Sequence, residues 1–442
     1  MMSNRDLLQR SLDAVWHPCT QMKQHASEAL PLVPIASGKG VWLYDFDGRR
    51  YLDGISSWWV NLFGHCHPRI NAALREQLDE LEHVILAGCT HRPVVELSER
   101  LSALAGGMLG HCFYASDGAS ATEIALKMSF HSWQNRGCQD KQEFLCLAGS
   151  YHGETIGALA VTDVALFKDA YAPLIRPAGI VPTPDARFAE AGETPVEVAR
   201  RAAAALENHL ERHHPRIAAL IVEPLIQCAS GMAMYDPEYL RLARGLCDRY
   251  QVHLICDEIA VGCGRTGTFF AHQQAAIQPD FLCLSKGISG GYLPLSIVMT
   301  SDAVYADFYD DRISRGFLHS HSYTGNALAC RAALATLDIF AEDRVIESNH
   351  ALAEHLGDCL RPLADHPRVR HLRQRGMIAA FDVVSDDRQF SRRFYRQALA
   401  NEVLLRPIGN TVYFMPPYVI SREECEFLVT RATAALEAAL RT

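Results

Sequence analysis

"VHLICDE", residues 252–258, is a short run of buried-strand character that stops on two acids. A strand covered on both faces reads as a continuous apolar run rather than an alternating one. The pattern recurs downstream. "PDFLCLSKG" (279–287) ends on a lysine, and "LSIVMTS" (295–301) follows it. Upstream, "IAALIVEPLIQ" (217–227) is another apolar run. It leads into "DPEYLRLARGLCDRY" (236–250), which has helical periodicity and offers Asp236 as an N-cap before Pro237. Strands alternating with helices predict a parallel or mixed α/β sheet with helices on both faces. In such sheets ligands bind beyond the carboxyl ends of the strands, where Asp257 and Lys286 stand.

The flanks differ from this centre. "GKGVWLYDFDGRRYLDG" (38–54) carries a "DFDG" turn signal between alternating strands. The last hundred or so residues mix helices with "MIAAFDVV" and "TVYFMPPYVI". These ends are expected to form one smaller α+β domain, from 1–65 and 326–442, around a large domain at 66–325.

Composition narrows the function. The 442 residues are 49% hydrophobic and 21% charged, an ordinary globular balance. A net charge of −9 with no long basic run argues against nucleic acid as a partner. "MMSNRDLLQRSLDAVWHP" reads as neither an export signal nor a membrane span. Fourteen scattered cysteines, without paired C-x-x-C knuckles, read as reduced thiols, so a cytoplasmic location is expected. "HCH" (65–67) and "HSH" (319–321) lack a partner cluster at metal-ligand spacing, and no metal site is expected.

Asp257 and Lys286 lie 29 positions apart. Two readings of the pair stand open: a buried structural ion pair, or a Schiff-base lysine with an acid that keeps a pyridinium nitrogen charged. The second needs a phosphate cup. "FYASDGASATEIALKMSF" (113–130) offers one, with the N–H groups of Gly118, Ala119 and Ser120 at a helix start. In "GSYHGET" (149–155), Tyr151 is either a stacking ring or a core tyrosine. "ISSWWVNLFGHCHP" (55–68) adds a puzzle, because adjacent side chains diverge and one core cannot easily take both Trp58 and Trp59.

The ordered set of phosphate turn, aromatic-His-Gly, "VEP", "CDEIAVGCGRTG" and "SKGISGG" resembles the class-III aminotransferases, of fold type I among enzymes that use pyridoxal 5′-phosphate. The resemblance spans nearly the whole chain. It implies an α/β large domain with a mostly parallel seven-stranded sheet, and a homodimer with shared active sites. By position it implies Lys286 as the Schiff-base and proton-shuttling lysine, Asp257 on the ring nitrogen and Tyr151 on the ring face. Gly118 and Ala119 would bind the phosphate, joined by Ser322 from the partner subunit. Trp58, Trp59, Tyr151, Ser320 and Tyr413 would line the substrate channel, and Arg406 would receive a carboxylate. Glu223 and Arg265 would lie nearby.

Within the class, "WHPCTQM" (16–22), "DGISSWW" (53–59) and "LLRPIGNTVYFMPPY" (404–418) are most similar to the branch that aminates 8-amino-7-oxononanoate to 7,8-diaminononanoate for biotin synthesis. S-Adenosylmethionine is the donor expected. Lysine is the alternative, because Cys19 stands where adenosylmethionine users carry tyrosine and "HSHSYTGN" is similar to lysine users. Two further departures are Ala119, where a serine is common, and Glu154, where many relatives have Asp. The competing reading is another class-III enzyme acting on a diamine, ornithine or 4-aminobutyrate. Against it stand Ala260 in place of the usual glutamine and the paired tryptophans. A regulator built on a degenerate copy of the fold would need a basic DNA-binding module, and none is evident.

Overall fold

The structure, a computed structural model, describes residues 3–441. It contains two compact units, one of residues 69–346 and one of residues up to 68 together with those from 347.

The larger unit is built on a seven-stranded sheet. Its spatial order is His111–Ala115, Ser296–Thr300, Phe281–Leu284, His253–Asp257, Ile217–Val222, Glu143–Leu147 and Gly179–Val181. Only Ser296–Thr300 runs antiparallel to its neighbours; the pairings among the other central strands are parallel. The apolar runs are therefore strands whose residues are all buried. Helix Gly118–Asn135 lays Ile124, Ala125 and Met128 on Ile221, Ile255, Cys283 and Val298. Each such fully buried large side chain contributes about 1.5–3 kcal/mol. Strands Ile217–Val222, His253–Asp257 and Phe281–Leu284 run side by side, with Cys256 beside Val222 and Asp257 beside Cys283. Their carboxyl ends therefore line one edge, which carries Glu223, Asp257 and Lys286.

Two local details differ from expectation. Helix Glu238–Tyr250 takes Pro237 as its cap residue, while Asp236 still accepts the Glu238 N–H at 2.9 Å. Helix Ala327–Glu342 packs on helix Arg92–Leu104 and belongs to the larger unit, so the chain changes unit at 346/347 rather than at 325/326.

The smaller unit holds two sheets. Ile35–Lys39, Trp42–Asp45 and Arg50–Asp53 form the meander, closed at Asp45–Gly48, and Val403–Leu404 joins its edge in parallel. Val369–Arg375, Ile378–Val383 and Thr411–Phe414 form the second, antiparallel sheet.

Candidate active site

In the larger unit the strand ends collect a set of polar groups. Asp257 is the last residue of its strand and is buried. Its Oδ1 accepts the Ile259 N–H at 3.0 Å, and its Oδ2 lies 2.7 Å from Nδ1 of buried His152. The other ring nitrogen of His152, Nε2, is buried without a hydrogen-bond partner among the described residues. Imidazole and carboxylate thus fix each other, and with one bond on each oxygen the carboxylate keeps acceptor capacity for a further donor.

Lys286 follows the neighbouring strand at φ +47°, a left-handed conformation that a side chain bearing a Cβ rarely adopts. Burial pulls the Lys286 ammonium below its ordinary pKa, while the nearby Asp257 carboxylate chiefly opposes that fall. Glu223, just past the third strand, accepts the N–H of Tyr151 on Oε1 and of Cys228 on Oε2, both at 3.0 Å. Burial nevertheless pushes its carboxyl up to about 7, with His152 lowering it and Asp257 raising it. Tyr151 is half-buried, packs obliquely on Phe167 and donates its hydroxyl to Glu154 at 2.8 Å. Arg265 is wholly buried.

Helix Gly118–Asn135 begins at Asp117, whose carboxylate accepts the Ser120 N–H and hydroxyl, both at 2.9 Å. The first-turn N–H groups of Gly118 and Ala119 have no partner within a helix and point out of its N-terminus. Gly153 seals this turn from behind: a Cβ there would lie 2.5 Å from the Ala119 Cβ, and φ is +121°. Ser320 and Ser322 lie on an exposed segment where His83 Nε2 meets the Ser322 carbonyl at 2.9 Å.

In the smaller unit the paired tryptophans occupy one turn, Ser56–Trp59. All four residues have positive φ (50°, 46°, 69° and 74°) and none is glycine. Such a conformation costs roughly 1–2 kcal/mol per residue. It sends the two rings apart. Trp59 is buried, donates its indole N–H to the Tyr413 hydroxyl at 3.1 Å and meets that ring edge-on. Trp58 is 43% exposed, and the Arg406 guanidinium lies 5.3 Å from its ring centroid. Arg406 also donates to the Cys19 carbonyl at 3.4 Å. Trp58 and Arg406 share a cavity of about 250 Å³ with His17, Leu404 and Tyr395.

Of the residues expected from sequence, Lys286 and Asp257 are brought together with Tyr151 through Glu223 and His152. Trp58, Trp59, Arg406 and Tyr413 form a second group. The part played by His152 was not legible beyond its place in "YHG". His65, in the "HCH" stretch, lies 3.1 Å from Asp53. Among the described residues there is no cluster of three or more metal-ligating side chains, no disulfide, and no helix long and apolar enough to cross a membrane.

This geometry, a doubly covered sheet with a buried acid and a left-handed lysine at adjacent strand ends, is that of a pyridoxal-phosphate fold. Residues 23–436 match the class-III aminotransferase family model, and the chain belongs to that family. Two of its relatives are adenosylmethionine-8-amino-7-oxononanoate aminotransferases. The one from Helicobacter pylori is 46% identical, covering 99% of this chain and 98% of that protein. The one from Geobacter sulfurreducens is 39% identical, covering 94% of each. Among solved structures, the Methanocaldococcus jannaschii enzyme of the same name superposes with a TM-score of 0.91, at 32% identity and 98% coverage of both chains. The Pseudomonas jessenii omega transaminase in complex with PMP superposes at 0.93, with 27% identity and 98% coverage of both.

Proposed function

We propose that this chain is a pyridoxal-phosphate enzyme that transfers an amino group from S-adenosylmethionine to 8-amino-7-oxononanoate, giving 7,8-diaminononanoate for biotin synthesis. The observation that carries the reading is the near-full-length match to the Helicobacter pylori protein of that name. The Trp58–Arg406 stack supplies matching chemistry, an apolar wall ending in a cation for a long-chain acid.

The residues fit the cofactor. Gly118 and Ala119 offer backbone N–H groups to its phosphate, and the remaining acceptor capacity of Asp257 suits a protonated ring nitrogen. Tyr151 would cover one ring face. Bound there, the cofactor acts as an electron sink for charge developing on the substrate carbon next to the amine. The chain does the rest. Burial lowers the Lys286 pKa and so favours the neutral amine, the form that would attack a carbonyl carbon and then carry a proton between carbons at Nζ. His152 holds Asp257 in orientation through the 2.7 Å contact. Arg406 holds the carboxylate end of the acceptor, where a planar, permanently charged fork is the suitable group.

The site is completed in a homodimer, with Ser322 of each subunit serving the phosphate of the other and Ser320 beside the substrate. Exposed Tyr309, Ile313, Leu318 and Tyr323 around those serines support a protein-covered face. The protein works in the cytoplasm. Lysine is the second donor reading, favoured by Cys19, which presents to Arg406 only a backbone carbonyl where an aromatic hydroxyl is expected.

The test mixes the cofactor-loaded protein with each donor separately and follows its visible absorbance. S-Adenosylmethionine should bleach it, and 8-amino-7-oxononanoate should restore it. Bleaching by 4-aminobutyrate or ornithine, with neither expected donor active, refutes the reading. Lys286→Ala should lose both the visible band and turnover, and full turnover in that variant would overturn the assigned chemistry.

A further inference from the structure

The left-handed turn at Ser56–Trp59 makes backbone bonds of its own, from Trp59 N–H to the Ile55 carbonyl at 2.9 Å and from Val60 N–H to the Ser56 carbonyl at 3.0 Å, and further side-chain bonds to it come from groups buried around Asp53. Asp53 is completely buried at the end of strand Arg50–Asp53. Its Oδ1 accepts the Ser57 N–H at 2.9 Å, and its Oδ2 accepts the Ser57 hydroxyl at 2.7 Å. Nε2 of His65 approaches Oδ2 at 3.1 Å, while His65 Nδ1 meets the Asn61 side chain at 3.2 Å. His65 in turn is wedged in place: a Cβ on Gly38 would lie 2.7 Å from the His65 Cβ, and His65 exchanges backbone hydrogen bonds with Gly40. On the other side of the turn, Ser56 donates to the Met415 carbonyl at 2.7 Å.

A buried carboxylate with this many donors, directed at a turn made of residues that avoid φ > 0, is a clamp. If the turn relaxed to right-handed geometry, Trp58 would leave the face of Arg406 and Trp59 would leave the Tyr413 hydroxyl. We propose that Asp53, backed by His65, is a positioning residue for the acceptor, because it holds Trp58 against Arg406 in the substrate-binding cavity. This rests on the long-chain oxo acid reading above, and names the residue that sets affinity for it.

The experiment uses the cofactor-loaded enzyme at saturating donor, with 8-amino-7-oxononanoate varied. Asp53→Asn should raise the acceptor KM about tenfold, the equivalent of one charge-assisted hydrogen bond lost. It should leave kcat and the visible cofactor band near the parent values. Ser57→Gly placed on Asp53→Asn should recover much of the loss, because glycine takes positive φ without the Cβ penalty. If Asp53→Asn does not fold, Ser57→Ala, which removes only the hydroxyl bond, should show the same KM rise in smaller measure. A fall in kcat at constant KM, or a double variant no better than the single, overturns the inference while leaving the function intact. Parent enzyme that does not turn over the oxo acid removes the functional reading and this inference together.

Discussion

Glu223 offers a direct test of the electrostatics at the strand ends. Its carboxyl is raised from the ordinary 4.5 to about 7, chiefly by burial. Between those two values the folded protein holds a proton that the unfolded chain has released. The contribution of Glu223 to stability is therefore fully present below pH 4.5 and is lost as pH rises through about 7. At about 1.4 kcal/mol per pH unit, the loss is about 3 kcal/mol. Glu223→Gln cannot ionise and abolishes that slope. It also gives up one of the two backbone N–H bonds, from Tyr151 or Cys228, because an amide has a single acceptor oxygen. That cost does not depend on pH and cancels in the comparison. Urea unfolding of cofactor-free protein at pH 5 and pH 8 should show the parent losing about 3 kcal/mol more than the variant between the two. Parallel pH profiles for the two proteins would refute the burial argument.

The two tryptophans should separate on substitution. Trp59→Ala empties a buried site and breaks the Tyr413 bond, and should cost about 3–5 kcal/mol in a thermal or urea melt. Trp58→Ala should melt within about 1 kcal/mol of the parent but raise the acceptor KM. Gly153→Ala drives a Cβ onto Ala119 at a φ of +121°, and should weaken retention of pyridoxal phosphate in an equilibrium dialysis series.

Much of the larger unit was legible because its chemistry follows its patterning. Apolar runs fully buried on both faces give the strands of a mostly parallel sheet, Ser296–Thr300 being the antiparallel one, and polar residues ending the parallel runs collect at one edge. That logic reached Asp257 and Lys286 directly. Glu223, Tyr151 and the helix start at Gly118 gained meaning only from their order along the chain. His152 did not stand out, because its contact with Asp257 joins residues 105 positions apart. The divergence of Trp58 and Trp59 followed from neighbouring side chains pointing apart, but the cause differs from a strand or a regular helix. Ser-Ser-Trp-Trp has no propensity for a left-handed turn. The Asp53 carboxylate, only four positions before Ser57, and the Met415 carbonyl, 359 positions from Ser56, together impose it, and a run of four residues carries no signal of the second bond. His65 shows the same limit, since its pairing with Asp53 twelve positions away was not legible in the sequence.

The smaller unit is interrupted by the larger one, and this has a consequence during synthesis. The Ser56 hydroxyl waits for the Met415 carbonyl, 359 positions later, and the Trp59 indole waits for Tyr413, 354 positions later. At ~5–20 residues per second, the ribosome needs roughly 20–70 s to deliver those partners. Residues 69–346 are contiguous and can collapse as they emerge, whereas the Ser56–Trp59 turn cannot make its bonds to Met415 and Tyr413 until synthesis is nearly complete. The cavity that Trp58 and Arg406 share, with lining residues at both ends of the chain, is among the last parts of the protein to be completed.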